Sequence, residues 1–152
     1  MVIASTDSEA KELFVSKMKK DFDFTDQGQL TDVLGVQVHQ DSESITITHE
    51  NYINNLAKTF IDGELANRKE HKTPASLDLE ELVIIACDSQ VEADPALLSE
   101  YRSLVGSLLY TAVTVRPDIS YAVGMLSRAL NKPTARLLDE AKRVLVYLVW
   151  RC

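Results

Sequence analysis

Residues 101–123 read Tyr101-Arg-Ser-Leu-Val-Gly-Ser-Leu-Leu-Tyr110-Thr-Ala-Val-Thr-Val-Arg116-Pro-Asp-Ile-Ser-Tyr-Ala-Val123, and their spacing decides how the chain folds. Tyr101, Leu104, Val105, Leu108, Leu109, Ala112 and Val113 recur at i, i+3, i+4, i+7 and i+8, the period that gathers apolar side chains on one helix face. Asp94-Pro95 marks the boundary before this helix and Arg116-Pro117 ends it, because the residue preceding a proline is pushed out of helical geometry. A second helix carries Pro117 in its first turn and Asp118 near its positive end, turning Ile119, Ala122, Val123, Leu126 and Leu130 inward. Pro133 opens a third, with Leu137, Leu138, Ala141, Val144, Leu145 and Leu148 on its inner face. The spacing predicts a three-helix bundle over residues 100–152. Each buried aliphatic side chain contributes roughly 1.5–3 kcal/mol, enough in sum for a self-contained core before conformational entropy is subtracted.

Upstream the period changes. Asp32 to Gln40 and Ile45 to Thr48 are two β-branched runs of alternating character, which predicts a β-hairpin closed by the polar loop Asp41–Ser44. Gly35, inside the first run, marks a bulge or a close approach of another backbone. His39 and His49 are placed to face one another across this hairpin. Tyr52, Ile53, Leu56, Ala57 and Phe60 then share one face of a short helix that Asp62-Gly63 ends. At the front, Ala10, Leu13, Phe14 and Met18 form the apolar stripe of an amphipathic helix from Asp7 to about Asp21, with Lys11, Lys17, Lys19 and Lys20 on its remaining surface. Ser5, Thr6 and Asp7 are its capping candidates, and Met1–Ala4 reads as the stub of a buried strand. Residues 63–99 are expected to form an irregular acidic connector: Lys72–Ser76 is extended, and Leu79–Ala86 is equally compatible with helix or strand. The fold class is α+β, with an N-terminal helix and hairpin over 1–62, the connector over 63–99, and the helical bundle over 100–152.

Composition narrows the function. The 152 residues are 45% hydrophobic and 26% charged with five glycines and four prolines, which excludes a disordered, collagenous or coiled-coil chain. The apolar stretches around 104–115 and 145–150 fall short of the roughly 20 residues a membrane-spanning helix needs. The first residues resemble neither a secretory nor a mitochondrial leader, so an intracellular location is expected. Cys87 and Cys152 lack the spacing of a metal or redox motif and read as ordinary thiols. The net charge of −7 argues against a free nucleic-acid binder, but its distribution does not: residues 1–60 hold five basic and ten acidic side chains, 61–100 three and ten, and 101–152 eight and three. The last third is locally basic.

Tyr101-Arg-Ser-Leu-Val-Gly-Ser-Leu-Leu-Tyr110, Arg116-Pro-Asp-Ile-Ser-Tyr-Ala-Val-Gly124, Leu126-Ser-Arg128 and Ala141-Lys-Arg-Val-Leu-Val-Tyr-Leu148 stand in the order and spacing of the reverse transcriptase of copia-type retrotransposon polyproteins. The chain resembles that family also at Phe22–Leu30, Leu34-Gly-Val-Gln-Val38, Tyr52-Ile53 and Lys72-Thr-Pro74. By this resemblance residues 1–62 are a remnant of the palm with a primer-grip hairpin, and residues 100–152 are a thumb or connection. In the family a Tyr-x-Asp-Asp turn precedes a strand like Met1–Ser5, and its carboxylates hold magnesium ions; two-metal chemistry clamps the attacking and leaving oxygens of the displacement. The expectation is that this chain starts just after that pair, carries no catalytic residue, holds no cofactor of its own and does not polymerise alone. The resemblance implies an RNA–DNA or DNA duplex as partner, with Leu34, Gly35 and Val36 at the primer strand and Arg102, Arg116, Arg128, Lys132 and Arg136 toward phosphates. The plain structural reading makes Gly35 a bulge, gives Arg116 to the Arg-Pro-Asp turn, and leaves the other cations on solvated helix faces.

A second class of function is a structural or accessory subunit of a larger protein assembly with no nucleic-acid role, which the acidic balance favours. Tyr147 and Trp150 are then the contact residues for a protein partner. Other chemistries fail on detail. Asp21, Asp23, Thr25, Gln27, Gln29 and Asp32 imitate a calcium loop, but Asp26 stands where its turn needs glycine and Asp32 where it needs a bidentate Glu. His39, His49 and His71 have no zinc-ligand spacing, and no motif sets a nucleophile beside a base.

Overall fold

A computed structural model describes residues 2–61, 63 and 69–151. Its body is built on α4 (Pro95–Thr114), which begins as the sequence predicts: the Asp94 carboxylate accepts the Leu97 amide at 3.1 Å, and Pro95 occupies the first turn. After a 3-10 turn at Pro117–Ile119, α5 (Ser120–Ser127) packs on α4. Thr134 caps α6 (Ala135–Val149), which crosses both. Tyr101, Leu104, Leu108, Ile119, Leu126, Leu137, Leu145 and Leu148 have almost no exposed surface. The Tyr101 hydroxyl, buried among them, donates to the Leu126 carbonyl at 2.7 Å, and burial pushes its pKa up. Two expected core positions on α4 are surface instead: Leu109 is 46% and Val113 79% exposed. The buried stripe passes through Thr111, whose hydroxyl turns back onto the Ser107 carbonyl and so enters the core satisfied.

The core is larger than three helices. The helices α2 (Glu50–Phe60) and α3 (Leu79–Asp88) pack against α6, and Ile53, Leu56, Ala57, Ile61, Leu79, Val83 and Ala86 join the same buried cluster. Leu79–Ala86 is therefore helix, and the stretch read as a connector contributes to the core. Its residues 64–68, like Asp62 of the expected helix stop, lie outside the described residues. Gly63 has the left-handed φ of 72° typical of a position just past a helix end.

The sheet also departs from expectation. What reads as one strand over 32–40 is two, β1 (Asp32–Val33) and β2 (Val36–Gln40), and β3 (Ile45–Thr48) completes an antiparallel meander in the order β1-β2-β3. Val33 pairs with Val36, and Leu34 and Gly35 between them have φ of 53° and 80°. Two successive left-handed residues make the tight turn whose twist matches a hairpin, so Gly35 serves a turn and not a bulge. The second turn is as predicted: the Asp41 carboxylate accepts the Glu43 and Ser44 amides, each at 2.7 Å, and those bonds hold its pKa below the usual range. His39 pairs with Thr46, so it does not face His49.

The helix α1 (Ser8–Asp21) is capped by the Asp7 carboxylate, which accepts the Glu9 and Ala10 amides. None of its residues is buried, and Leu13, on the apolar stripe read from the sequence, is 57% exposed. Ahead of it Val2–Ala4 form no strand, and Val2 is exposed; Met1 lies outside the described residues. Among the described residues no helix is long and apolar enough to cross a membrane.

Candidate functional site

The Leu34–Gly35 turn is exposed and apolar, yet it is fixed in place. Leu34 is 84% exposed, yet its carbonyl accepts the Tyr110 hydroxyl of α4 at 2.7 Å. Tyr110 stacks edge-on to Tyr52 of α2 with ring centres 5.5 Å apart, and His49 lies 5.2 Å from both. Gln37 of β2 adds a polar tie, its side-chain oxygen accepting the Asn51 amide at 3.0 Å. The hairpin is thus clamped to two helices of the body, and Val36 follows the turn as the first residue of β2. Sequence reading gave Tyr110 no role beyond its place in a motif block. A tyrosine on a helix face carries no local signal of a carbonyl 76 positions away.

His49 is 2% exposed, and neither ring nitrogen has a hydrogen-bond partner among the described residues. Burial holds its pKa below 6.5, because a charged imidazole loses hydration there that nothing replaces. The sign follows from proton counts: below 6.5 the unfolded chain binds a proton that the folded chain resists, so stability from this group is complete above 6.5 and declines as pH falls toward the folded value. Acidification from about pH 7 to about pH 5 is expected to lower the unfolding free energy. His49→Phe should flatten that decline while keeping the ring contacts. Urea titrations at the two pH values check this, and an equal decline in the variant would refute it.

The structure separates the five predicted cations. Arg102 reaches across from α4, donating to the Leu130 carbonyl at 2.9 Å and to Asn131 Oδ1 at 2.7 Å. Lys132 donates to the Ser89 carbonyl at 2.7 Å, and Arg128 lies beside Met125 at the same corner between α5 and α6. Arg136, in the first turn of α6, pairs with Asp78 at 3.1 Å. Arg116 stands at the opposite end of α5, forking onto both Asp118 oxygens at 2.9 Å. This pairing is the main cause that holds the Asp118 carboxyl below its usual pKa; the Tyr147 hydroxyl donates to the same carboxylate at 3.0 Å. Arg116 and Arg151 each lie 5.8 Å from the centre of the Tyr147 ring, and Trp150 is 52% exposed nearby. Arg102, Arg128 and Arg136 remain exposed, and a guanidinium has five donors, so one or two internal partners leave others for an anion. Arg116 and Lys132 are partly covered.

Among the described residues no three His, Cys, Asp or Glu side chains come together as metal ligands.

Comparison with known proteins agrees with the resemblance seen in the sequence blocks. The family model described as reverse transcriptase (RNA-dependent DNA polymerase) matches residues 1–76. A protein of Saccharomyces cerevisiae named "Putative transposon Ty5-1 protein" is 33% identical over 97% of this chain and 46% of its own length. The retrovirus-related Pol polyprotein from transposon TNT 1-94 of Nicotiana tabacum is 33% identical over 86% of this chain and 10% of its own. An uncharacterised mitochondrial protein of Arabidopsis thaliana is 29% identical over 90% of this chain and 52% of its own. The chain thus spans about half or less of these relatives. No solved structure matches it.

Proposed function

The chain belongs to the reverse transcriptase (RNA-dependent DNA polymerase) family, of the copia type, and from that premise we propose that it grips a template–primer duplex without carrying the metal-dependent chemistry. The single observation supporting this most is the clasp of Tyr110 on the Leu34 carbonyl. It holds an exposed left-handed turn, a conformation that lets backbone come close to a ligand, at a fixed place against the helices. On this reading residues 32–48 are the primer-grip hairpin, its turn meeting the sugar-phosphate chain through Leu34, Gly35 and Val36. The helices α4 to α6 act as a thumb, with Arg102, Arg128 and Arg136 contacting phosphates and Arg116 and Lys132 bracing the α5 ends. Phosphate contacts from such residues position a duplex without reading its sequence.

A titration of labelled primed RNA–DNA duplex tests this. Affinity is expected to fall at least about tenfold between roughly 50 and 200 mM salt, because each neutralised phosphate releases counterions. Replacing Arg102, Arg128 and Arg136 together by Gln should flatten that salt dependence. Absence of binding at the lower salt would overturn the proposal. Co-purification with a protein partner through Tyr147 and Trp150, without nucleic acid, would favour the accessory-subunit reading, to which the net charge of −7 lends weight.

A further inference from the structure

A cavity of about 150 Å³ lies where β3, the start of α2 and the end of α4 meet. Thr48 and His49 line it, and the Thr48 hydroxyl and both His49 ring nitrogens are buried with no hydrogen-bond partner among the described residues. The His49 ring is held against Tyr52 and Tyr110, its centre 5.2 Å from each, so it has no room to turn toward another acceptor or donor. Buried polar groups in folded proteins are almost always satisfied, by protein or by something bound, and here three such atoms border one space. The rest of the wall is apolar, from Ile47, Ile53 and Val115. His49 and Ile53 are buried whereas Ile47 and Arg151 are exposed, so the cavity is a recess that reaches solvent.

Size and charge narrow what fits. One water takes roughly 30 Å³ in the liquid, about a fifth of this space, and needs two to four polar partners that the aliphatic walls do not offer. A volume near 150 Å³ is the room that a benzene-sized ring fills. The rim does not favour an anion: Arg116 is committed to Asp118 and to the Arg151 carbonyl, Arg151 faces Glu70 at 3.4 Å, and Glu50 adds a third carboxylate against the two guanidiniums. Guanidinium planes do favour an aromatic face, as both arginines show by lying 5.8 Å from the centre of the Tyr147 ring.

We infer that this recess is a binding site for a small neutral aromatic ring carrying a hydroxyl, a phenol in chemical class. An uncharged imidazole has one nitrogen that accepts, and a phenolic hydroxyl donates to it while accepting the Thr48 hydroxyl proton, so one ligand atom engages both residues. The ring then lies against Ile47, Ile53 and Val115 and under the two guanidiniums. This site goes beyond duplex binding, since it uses neither the Leu34–Val36 backbone nor the exposed cations Arg102, Arg128 and Arg136.

Phenol itself is the probe, titrated into the full chain while the His49 ring and Ile53 methyl resonances are followed by NMR. Saturable shifts at both, absent from His39 and His71, are the expected result. Benzene lacks the hydroxyl and cyclohexanol the aromatic face, and each should bind at least about threefold more weakly. Thr48→Val should weaken phenol binding about fivefold, and Val115→Phe, which fills the recess from its partly exposed side, should abolish it. Circular dichroism checks that both variants keep the fold; Thr48→Val alone decides the matter where Val115→Phe does not. A recess filled by water only, seen as no saturable shift, overturns the proposal, as does binding that Thr48→Val leaves unchanged or that benzene matches.

Discussion

Ile53→Ala is expected to lower the unfolding free energy of the whole helical body by about 2–5 kcal/mol, the cost of a buried aliphatic truncation when the cavity only partly collapses. Ile53 is 1% exposed on α2 and belongs to the same buried cluster as Leu104, Leu126 and Leu145. It also lies in the stretch that sequence patterning assigns to a separate N-terminal unit. If α2 were merely attached to an independent bundle, the substitution would loosen α2 and leave the transition of α4 to α6 in place. One cooperative transition, shifted as a whole and read equally by circular dichroism and tyrosine fluorescence, is the outcome expected of a shared core. Leu13→Ala on α1 is the control, with an effect within about 0.5 kcal/mol because no residue of α1 is buried.

The same contrast shows what could be read from the chain itself. The inner faces of α5 and α6 follow from spacing because a helix packed along one side repeats its contacts every three or four residues. The caps at Asp7, Asp94 and Thr134 are equally local, each side chain satisfying an amide two or three residues on. What spacing does not carry is which helices share a core. Leu79–Ala86 is too short to separate helix from strand, and its placement against α5 and α6 depends on residues some fifty positions later. The tight turn at Leu34–Gly35 was misread for a related reason: a leucine rarely adopts positive φ, so Leu-Gly gives a weaker hairpin signal than Asn-Gly. At the candidate site the motif residues were visible, but the clasp between Tyr110 and Leu34 is a long-range contact with no pattern to reveal it. The stripe on α1 is legible as an apolar helix face, yet no residue of α1 is buried; periodicity marks a face and says nothing about what packs on it.

Asp118→Ala is expected to cost about 2 kcal/mol, placed by the worth of hydrogen bonds to charged groups and kept moderate because the carboxylate is 39% exposed. One side chain closes this corner: it takes both ends of the Arg116 fork and the Tyr147 hydroxyl, joining the start of α5 to the last turns of α6. Removing it takes the carboxylate partner from a guanidinium that is 19% exposed, which keeps its contact with the Arg151 carbonyl, and leaves the Tyr147 hydroxyl without that acceptor. The stabilisation has a defined pH window. The Arg116 hydrogen bonds hold the Asp118 carboxyl below 3.8, so the folded chain releases a proton that the unfolded chain keeps. The contribution is therefore complete above 3.8 and is lost as pH falls through the folded value, a window separate from that of His49. Asp118→Asn keeps the shape and loses the charge, and should fall between the parent and the alanine variant near neutral pH. Combining Asp118→Ala with Arg116→Ala should cost less than the sum of the two, because each single change already breaks the same fork. Strict additivity in urea titrations of the four proteins would show that the two side chains act apart, and the fork would then be geometry without energetic weight.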